Sequence, residues 1–208
     1  MDNNEHREKV TGILLIAAGQ GERFKAAGGA TDKLQAEFAD ASGQIRTLFA
    51  HSCLAAQQSG LPLCVVTRPA QQAIRDYCDQ QKIPTVLVEN TRMGESIAAG
   101  VRHTATWDGW LIHLADMPFI SAATLRLVAS KIVEDGIVRP VFGATPGHPV
   151  GFGRCAFRAL STLTDEQGAR SLLTLFPLYT IELQDDSVLR DIDLPSQLPE
   201  GENHAIVK

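Results

Sequence analysis

Two glycines and two cations follow the first long apolar run of the chain. The run at residues 13–18 stops at Gly19, and Gly21, Arg23 and Lys33 come after it. A buried strand that breaks into a glycine turn presents backbone amides at the carboxyl edge of a sheet, where anionic ligands bind. The glycines allow close approach of a phosphate to the backbone, and the two cations can neutralise it. The segment predicts a nucleotide phosphate site, although a plain strand-to-helix turn with surface cations explains the same residues.

Two carboxylates stand at positions that suit a metal ion. Asp116 ends the apolar segment 110–115, just before Pro118. A carboxylate at the end of a strand, near a triphosphate loop, is well placed to bind Mg²⁺, but an Asp here can also make local turn hydrogen bonds. Asp191 and Asp193 alternate, which sends both to one side of a short extended segment. Asp193 is the predicted second ligand and Asp191 a weaker candidate, the alternative being a solvated acidic edge strand.

A third polar segment, residues 90–97, runs from a loop into a helical pattern. Ser96 is a candidate N-cap, and the amides freed at such a helix start suit a ribose, a base or a phosphate. Helix capping alone accounts for Ser96 equally well.

The elements that position these residues follow an alternating pattern. Short β-rich apolar runs alternate with longer segments of helical spacing, which is typical of βαβ units around a mostly parallel sheet. The predicted strands are 12–18, 63–67, 85–88, 109–114, 138–142 and 179–183. The predicted helices are 47–59, 70–81, 96–103, 122–135 and 168–176. Residues 144–152 are richer in Gly and Pro than a central strand allows, so we expect a loop or an edge strand that contacts a second substrate.

Composition bounds the class of protein. The chain has 208 residues, 44% of them apolar, and 24 acidic against 19 basic side chains for a net charge of -5. This predicts one α/β domain at residues 10–198, between polar tails at 1–9 and 199–208. The charge gives no reason to bind nucleic acid or anionic lipid. The absence of an apolar run near the roughly 20 residues of a membrane span, and four widely spaced cysteines, lead us to expect a cytoplasmic protein.

Five segments in order resemble motifs of the MobA-like NTP transferase family, in particular its molybdenum cofactor cytidylyltransferase branch. The family pattern Leu-Ala-Ala-Gly-x-Ser/Gly-x-Arg-Met-Gly, with Lys-Leu further on, is similar to residues 16–24 and 33–34. The other family motifs, Gly-Met/Leu-x-x-Ser-Leu, Ala-Asp-Met-Pro, Gly-His-Pro, Gly-Ala-Arg and Asp-Ile-Asp-Thr-Pro, have counterparts at residues 93–97, 115–118, 147–149, 168–170 and 191–195. The resemblance spans most of the chain.

The resemblance implies a three-layer α/β/α sandwich with the Rossmann-like fold of nucleotide-diphospho-sugar transferases. It also implies transfer of CMP from CTP to molybdopterin, with release of pyrophosphate. Arg23, Lys33 and Asp116 would be catalytic, and Mg²⁺ would be held by Asp116 and Asp193. The nucleotide would bind at Ala17, Ala18, Gly19, Gly21, Arg23, Lys33, Gly94 and Ser96. His148 and Arg170 would face the second substrate, although a His in a Gly/Pro loop is also a common structural hydrogen-bond donor. We expect a monomer, with a molybdoenzyme or its chaperone as a further partner.

The chain departs from the family pattern at one place. Phe24 replaces the usual Met, the following Gly is missing, and residues 25–31 separate Arg23 from Lys33 by more than usual. Lys25 therefore competes with Lys33 for the phosphate role, and the longer loop is expected to be mobile until nucleotide binds.

Other functions stay open at this point. GMP transfer is one, because residue types alone do not select cytosine. An NAD(P)H-dependent oxidoreductase is another, because the glycine turn lacks only the third glycine of a dinucleotide fingerprint, where Phe24 stands. Against it, no acid follows the second strand, where Thr67, Arg68 and Pro69 stand. A cofactor carrier without catalysis is the third, although a carrier gains little from a metal site.

Overall fold

The computed structural model describes residues 9–89, 92–164 and 168–199. Most of both predicted tails, and Asn90 and Thr91 of the third polar segment, lie outside the described residues. Ten strands form: β1 (Thr11–Ile16), β2 (Glu37–Ala39), β3 (Ile45–Thr47), β4 (Leu63–Thr67), β5 (Thr85–Leu87), β6 (Gly109–Leu114), β7 (Ile137–Phe142), β8 (Thr145–Pro146), β9 (Val150–Gly153) and β10 (Leu178–Glu182). The α-helices are α1 (Glu22–Ala26), α2 (Leu48–Gln58), α3 (Gln72–Gln80), α4 (Met93–His103), α5 (Ala122–Ser130) and α6 (Phe157–Ser161). Short 3₁₀ helices cover Lys33–Gln35, Arg154–Ala156, Gly168–Thr174, Asp186–Leu189 and Pro195–Gln197.

The main sheet is mixed and mostly parallel. Its order is β10-β7-β9-β6-β1-β4-β5, with β8 pairing beside β7, while β2 and β3 form a separate antiparallel hairpin. The pairs of β1 with β4 and β6 are parallel, whereas β9 is antiparallel to both neighbours. The chain leaves β1 toward β4 and β5, then returns to the other side of β1 as β6. This reversal opens a crevice at the carboxyl ends of β1 and β6, where α/β proteins bind ligands.

Helices cover both faces of the sheet, which confirms the predicted three-layer α/β/α architecture. Alternating side chains of β1 explain the two layers: Leu14 packs with α4 residues such as Ile97, and Leu15 packs with α2 residues such as Phe49. Gly100 allows α4 to lie close to the sheet, because a Cβ there would be 2.9 Å from a methyl group of Val66. Within the described residues, none of the helices has the length and apolar character that crossing a membrane requires.

The six predicted strands and five predicted helical segments form, with shifted ends. The helix expected at 122–135 stops at Ser130, and the one expected at 168–176 is a 3₁₀ helix. The helix expected to start at Ser96 starts at Met93, so Ser96 is not its N-cap. Its buried hydroxyl instead donates to the Arg92 carbonyl at 3.1 Å.

The prediction for residues 144–152 is correct for 144–149, which form a turn, the short strand β8 and a loop, but wrong for 150–152. Part of this segment is β9, which lies inside the sheet between β6 and β7 with Val150 and Phe152 buried. Its glycines do not mark an edge; they make room for the chain after α5. A Cβ at Gly153 would lie 1.9 Å from the Val133 carbonyl oxygen, and one at Gly151 would lie 2.5 Å from Ile132. A side chain at either position would therefore collide with that chain.

Candidate active site

The glycine turn after β1 forms one wall of the crevice. Ala17 extends the pairing of β1 with β4, because its amide donates a hydrogen bond to the Val66 carbonyl at 2.8 Å. Gly21 then adopts a left-handed backbone, with φ of 63°, just before α1. A Cβ at Gly21 would lie 2.8 Å from Cβ of Lys33, whereas a Cβ at Gly19 would meet nothing within 4 Å. Gly21 is thus needed for the turn and for the seat of Lys33, and Gly19 leaves open space for a ligand.

Lys33 is held in place by the segment that follows the long loop. It starts a 3₁₀ helix whose N-cap is Asp32, which accepts a hydrogen bond from the Leu34 amide at 3.0 Å. Leu34 anchors this turn because its side chain is buried in the same core cluster as Phe24 of α1. The Lys33 side chain is only 11% exposed and points into the crevice, toward the carboxylates.

Asp116 enters the crevice from the end of β6. The neighbouring residue Ala115 fixes the turn: its amide donates to the Ile16 carbonyl at 3.0 Å, and its carbonyl accepts from the Ser52 hydroxyl at 2.8 Å. The Asp116 carbonyl accepts the Ile192 amide at 2.9 Å, which ties the C-terminal segment to this turn. Because Ile192 is buried, the flanking Asp193 is directed toward Asp116 and Lys33, although no strand forms there.

Four charged side chains meet at this point. Lys33 Nζ lies 2.7 Å from Asp116 Oδ2 and 3.1 Å from Asp193 Oδ1, and Arg23 donates to Asp193 Oδ2 at 2.8 Å. Burial acts most strongly on Lys33 and opposes its charge, but attraction and hydrogen bonds from Asp116 and Asp193 outweigh it and raise the pKa of Lys33. Burial also opposes the charge of Asp193, yet its bonds to Lys33 and Arg23 lower its pKa. Lys33 and Asp193 are therefore both charged near neutral pH.

One oxygen of the two carboxylates is suited to bind a divalent cation. Asp116 Oδ1 is buried and has no hydrogen-bond partner among the described residues. In the described part of the chain, no three His, Cys, Asp or Glu side chains converge as a metal-binding group. Mg²⁺ does not need such a group, since it is commonly held by one or two carboxylates with water and substrate phosphates completing its shell. Asp116 and Asp193 fit that pattern.

Two neighbouring cavities occupy the crevice. The smaller, about 70 Å³, is lined by the predicted residues Ala17, Gly19, Gly21, Lys33 and Asp116, and also by Ile16, Leu34, Met93 and Leu114. The larger, about 520 Å³, is lined by the predicted residues His148 and Arg170, and also by Met93, Ile97, Ile112, Leu114, Arg139, Pro146, Val150, Phe152, Ala169 and Leu173. Met93 and Leu114 line both cavities, so the two spaces are adjacent.

The larger cavity is mainly apolar, with two cations, Arg139 and Arg170, and one imidazole, His148, in its wall. Arg139 donates from Nε to the Gly147 carbonyl at 2.9 Å. Burial, followed by repulsion from nearby Arg170, lowers the pKa of Arg139. Burial, with Arg139 as a second cause and Asp191 opposing, lowers the pKa of His148 to about 4. His148 is therefore neutral near pH 7.

Several predicted residues lie away from the two cavities. Ala18, Gly94 and Ser96 are buried and line neither cavity. Lys25 is exposed, and its side chain makes no ion pair with any residue that the structure describes. Asp191 is exposed. Its charge acts on His148 and not on Lys33. Geometry thus favours Lys33 over Lys25, and Asp193 over Asp191, as neighbours of Asp116.

Three residues of the crevice were missed from sequence. Arg68, directly after β4, donates to the Gly19 carbonyl at 3.3 Å and lies 3.8 Å from Asp32, so it contacts both ends of the long loop. Arg139 is a charged residue inside an otherwise apolar strand. Met93 separates the two cavities. The position of Arg68 at a strand end and the charge inside β7 were both visible signals.

The sequence of this chain is similar to those of known proteins. The MobA-like NTP transferase domain model matches residues 13–184. The molybdenum cofactor cytidylyltransferase of Escherichia coli is 26% identical over 122 residues, which cover 57% of this chain and 62% of that protein. The match thus spans less than two thirds of the relative's length.

Solved structures share the fold. A nucleotidyl transferase from Methanothermobacter thermautotroptrophicus matches with a TM-score of 0.78 at 20% identity, covering 91% of this chain and 94% of the other. Rv0371c from Mycobacterium tuberculosis H37Rv matches with a TM-score of 0.75 at 23% identity, covering 91% and 96%. A structure of Rv0371C in complex with manganese matches with a TM-score of 0.67 at 21% identity, covering 85% and 89%. The family match over most of the chain decides the assignment: this chain belongs to the MobA-like NTP transferase family.

Proposed function

We propose that this chain is a nucleotidyltransferase that moves CMP from CTP to molybdopterin and releases pyrophosphate, with Mg²⁺ as its cofactor. The observation that carries the proposal is the contact of Lys33 with Asp116 and Asp193 beside the turn at Gly19 and Gly21. Paired carboxylates with adjacent cations suit the transfer of a phosphoryl-type group, which depends on charge neutralisation and positioning. The cytidylyltransferase name of the Escherichia coli relative supports the choice of CTP and of molybdopterin.

The metal proposal rests on the chemistry of the two carboxylates. Asp116 and Asp193 would hold Mg²⁺, since the buried Asp116 Oδ1 is without a partner among the described residues. When bound, the ion neutralises charge on the phosphate oxygens of the nucleotide. The manganese complex of a protein with this fold supports a divalent cation in general.

The nucleotide would lie over the smaller cavity. Gly19, with open space above its α-carbon, lets a phosphate reach the backbone amides of the turn. Lys33 and Arg23 would transfer their contacts from the carboxylates to the β- and γ-phosphates of CTP. Gly94 and Ser96 line neither cavity. We therefore propose them only as part of the helix start that borders the nucleotide.

The acceptor would occupy the larger cavity. Its apolar walls, which include Ile112 and Phe152, suit a flat ring system, and Arg139 and Arg170 suit a phosphate. His148 would serve as a neutral hydrogen-bond partner for the ring. The shared wall at Met93 and Leu114 brings such an acceptor next to Asp116.

The reaction needs no covalent enzyme intermediate. An oxygen of the acceptor phosphate attacks the α-phosphorus of CTP, a new P–O bond forms, and the bond to the β-phosphate breaks. Pyrophosphate then leaves with the electron pair of that bond. Lys33 and Arg23 offset the charge that develops on the departing group, while the larger cavity aligns the attacking oxygen.

A nucleotide panel tests the proposal. The purified chain is incubated with Mg²⁺, molybdopterin and either CTP, GTP, ATP or UTP, and pyrophosphate is measured against reactions without molybdopterin. We expect pyrophosphate with CTP only. Activity with GTP alone would contradict the base, and silence with all four nucleotides would contradict the transfer. In the second case, consumption of NAD(P)H would favour the oxidoreductase, and metal-independent nucleotide binding would favour the carrier.

A further inference from the structure

The Lys33 ammonium bridges the two carboxylates. Its nitrogen lies within 2.7 Å of one Asp116 oxygen and 3.1 Å of one Asp193 oxygen. Those two residues come from strand ends and loops that are distant in sequence, and the side chain of Lys33 is largely shielded from water. A cation that contacts both carboxylates is therefore already present.

Most of the carboxylate oxygens are in use. Asp116 Oδ2 and Asp193 Oδ1 accept from Lys33, and Asp193 Oδ2 accepts from Arg23. Of the four oxygens, these three are engaged, and only Asp116 Oδ1 has no partner within the part of the chain that is described. A divalent ion that binds both side chains must displace at least one of these contacts. The Lys33 ammonium already lies between the two carboxylates.

We infer that the Lys33 ammonium occupies the divalent-cation position between Asp116 and Asp193, so that the metal binds more weakly before the nucleotide than with it. This inference rests on the proposed metal role of the two carboxylates. It makes Lys33 an occupant of the metal site in the free protein and a phosphate ligand once nucleotide is bound.

Charge balance explains why nucleotide would release the bridge. Two cations and two carboxylates leave the four side chains with no net formal charge. A divalent ion entering alone would leave Lys33 and Arg23 facing it without anionic partners, which is unfavourable in a partly buried site. A triphosphate supplies those partners, because Lys33 and Arg23 can pair with its oxygens. Metal and nucleotide binding therefore favour each other.

The size of the effect follows from the fraction of free protein in which Lys33 has withdrawn. The apparent affinity of the carboxylates for a metal is lowered by that fraction, so a withdrawn state of about 10% weakens binding about tenfold. A substitution that removes the Lys33 ammonium but keeps much of its aliphatic chain should restore the lost affinity for the metal. Lys33→Met does so, and Lys25→Met is the matched control because Lys25 is exposed in the nearby helix α1.

The test is titration of the full chain with Mn²⁺ alone, followed by electron paramagnetic resonance. We expect Lys33→Met to bind Mn²⁺ about tenfold more tightly than the unaltered protein, and Lys25→Met to match the unaltered protein. Equal or weaker binding by a folded Lys33→Met variant would overturn the inference. Circular dichroism of each variant establishes that it is folded.

A second measurement on the unaltered protein covers the case in which Lys33→Met does not fold. Amine acetylation is followed by mass spectrometry with and without saturating Mn²⁺, with Lys25 as the internal reference. Displacement by the metal should increase the acetylation of Lys33 relative to Lys25, and an unchanged ratio would overturn the inference. Failure of every protein to bind Mn²⁺ would instead contradict the metal role, and the pyrophosphate assay judges the transferase activity separately.

Discussion

The two cavities of the crevice differ in how they are built. The smaller one is lined by short loops whose charged side chains already contact one another, as in the bridge from Lys33 to Asp116 and Asp193. The larger one is lined mainly by apolar side chains of strands and helices, and its two arginines do not contact a carboxylate among the described residues. Beside the smaller cavity the cations are paired with carboxylates. In the larger cavity the two arginines have no such partner within the described residues and face open volume.

This difference separates chemistry from selection. Preorganised charges lower the cost of stabilising a transition state, because little rearrangement is needed when the reaction occurs. A roomy apolar cavity with cations instead discriminates ligands by shape and by anionic groups. We therefore expect changes beside the smaller cavity to reduce the rate, and changes in the larger cavity to weaken binding of the acceptor.

The largest effect is expected at Asp116. Asp116→Asn keeps the size of the side chain but removes the charge that pairs with Lys33 and would hold the metal. We expect kcat to fall about 10³-fold, as is typical for the loss of a ligand that neutralises transition-state charge. Steady-state pyrophosphate release measures this. Asp191→Asn is the control. An equal loss of kcat in that variant would contradict the assignment of Asp116 and Asp193 as the two metal ligands.

A smaller effect is expected at Gly21. Gly21→Ala places a Cβ in a left-handed backbone and 2.8 Å from Cβ of Lys33. We expect the free energy of unfolding to fall by about 1–2 kcal/mol, and kcat to fall about 10²-fold because Lys33 is displaced.

Gly19→Ala is the matched variant for that prediction. Because its added Cβ meets nothing in the free protein, the free energy of unfolding should change by less than about 0.5 kcal/mol. The KM for CTP should rise instead, since the methyl group fills the space left for a phosphate. Urea denaturation and initial rates distinguish the two variants, and an equal loss of stability would contradict the separate roles of the two glycines.

The next effect concerns the larger cavity. Arg139→Met and Arg170→Met should each raise the KM for molybdopterin about tenfold, since a charge-assisted hydrogen bond contributes about 1.5 kcal/mol or more. The KM for CTP should not change. Arg158→Met, on the exposed side of α6, is the control. A rise in the KM for CTP in place of that for molybdopterin would assign the arginines to the nucleotide.

Much of the fold was predictable from local pattern. Apolar runs of strand length and helical spacing located β1, β4 and β6 and the helices between them, because each element buries one face or both. β9 was missed because its glycines are a consequence of tertiary packing against residues 132–134, which local pattern does not reveal. The start of α4 was misplaced because a serine in the first turn resembles a cap even when its hydroxyl is turned back to the Arg92 carbonyl.

The site was predictable in its charges but not in its contacts. Asp116, Asp193, Lys33 and Arg23 were each proposed, and the structure brings them together. Their side-chain roles in catalysis stay a prediction. Spacing could not show that Lys33 bridges the carboxylates, because the bridge depends on how residues 190–194 return to the sheet. Arg68 was missed for the same reason, since its partner is a backbone carbonyl 49 residues away. Arg139 instead donates to the nearby Gly147 carbonyl.

The smallest effect is expected at a buried histidine, where a substitution should change the dependence of stability on pH. His113 in β6 is fully buried, and neither ring nitrogen has a hydrogen-bond partner among the described residues. Burial, with His148 as a second cause, lowers the pKa of His113 to about 3. Between the usual value near 6.5 and this lowered value, the unfolded chain binds a proton that the folded chain does not, so stability is lost as the pH falls.

His113→Leu tests this sign directly. Lowering the pH from 6.5 to 5 should cost the unaltered protein about 2 kcal/mol of unfolding free energy through His113 alone, and the variant should be spared that part of the loss. Urea denaturation at the two pH values measures it, with His103→Leu at the exposed end of α4 as the control. An equal acid-induced loss in His113→Leu and the unaltered protein would mean that His113 is protonated in the fold. In that case a positive charge would stand close to His148.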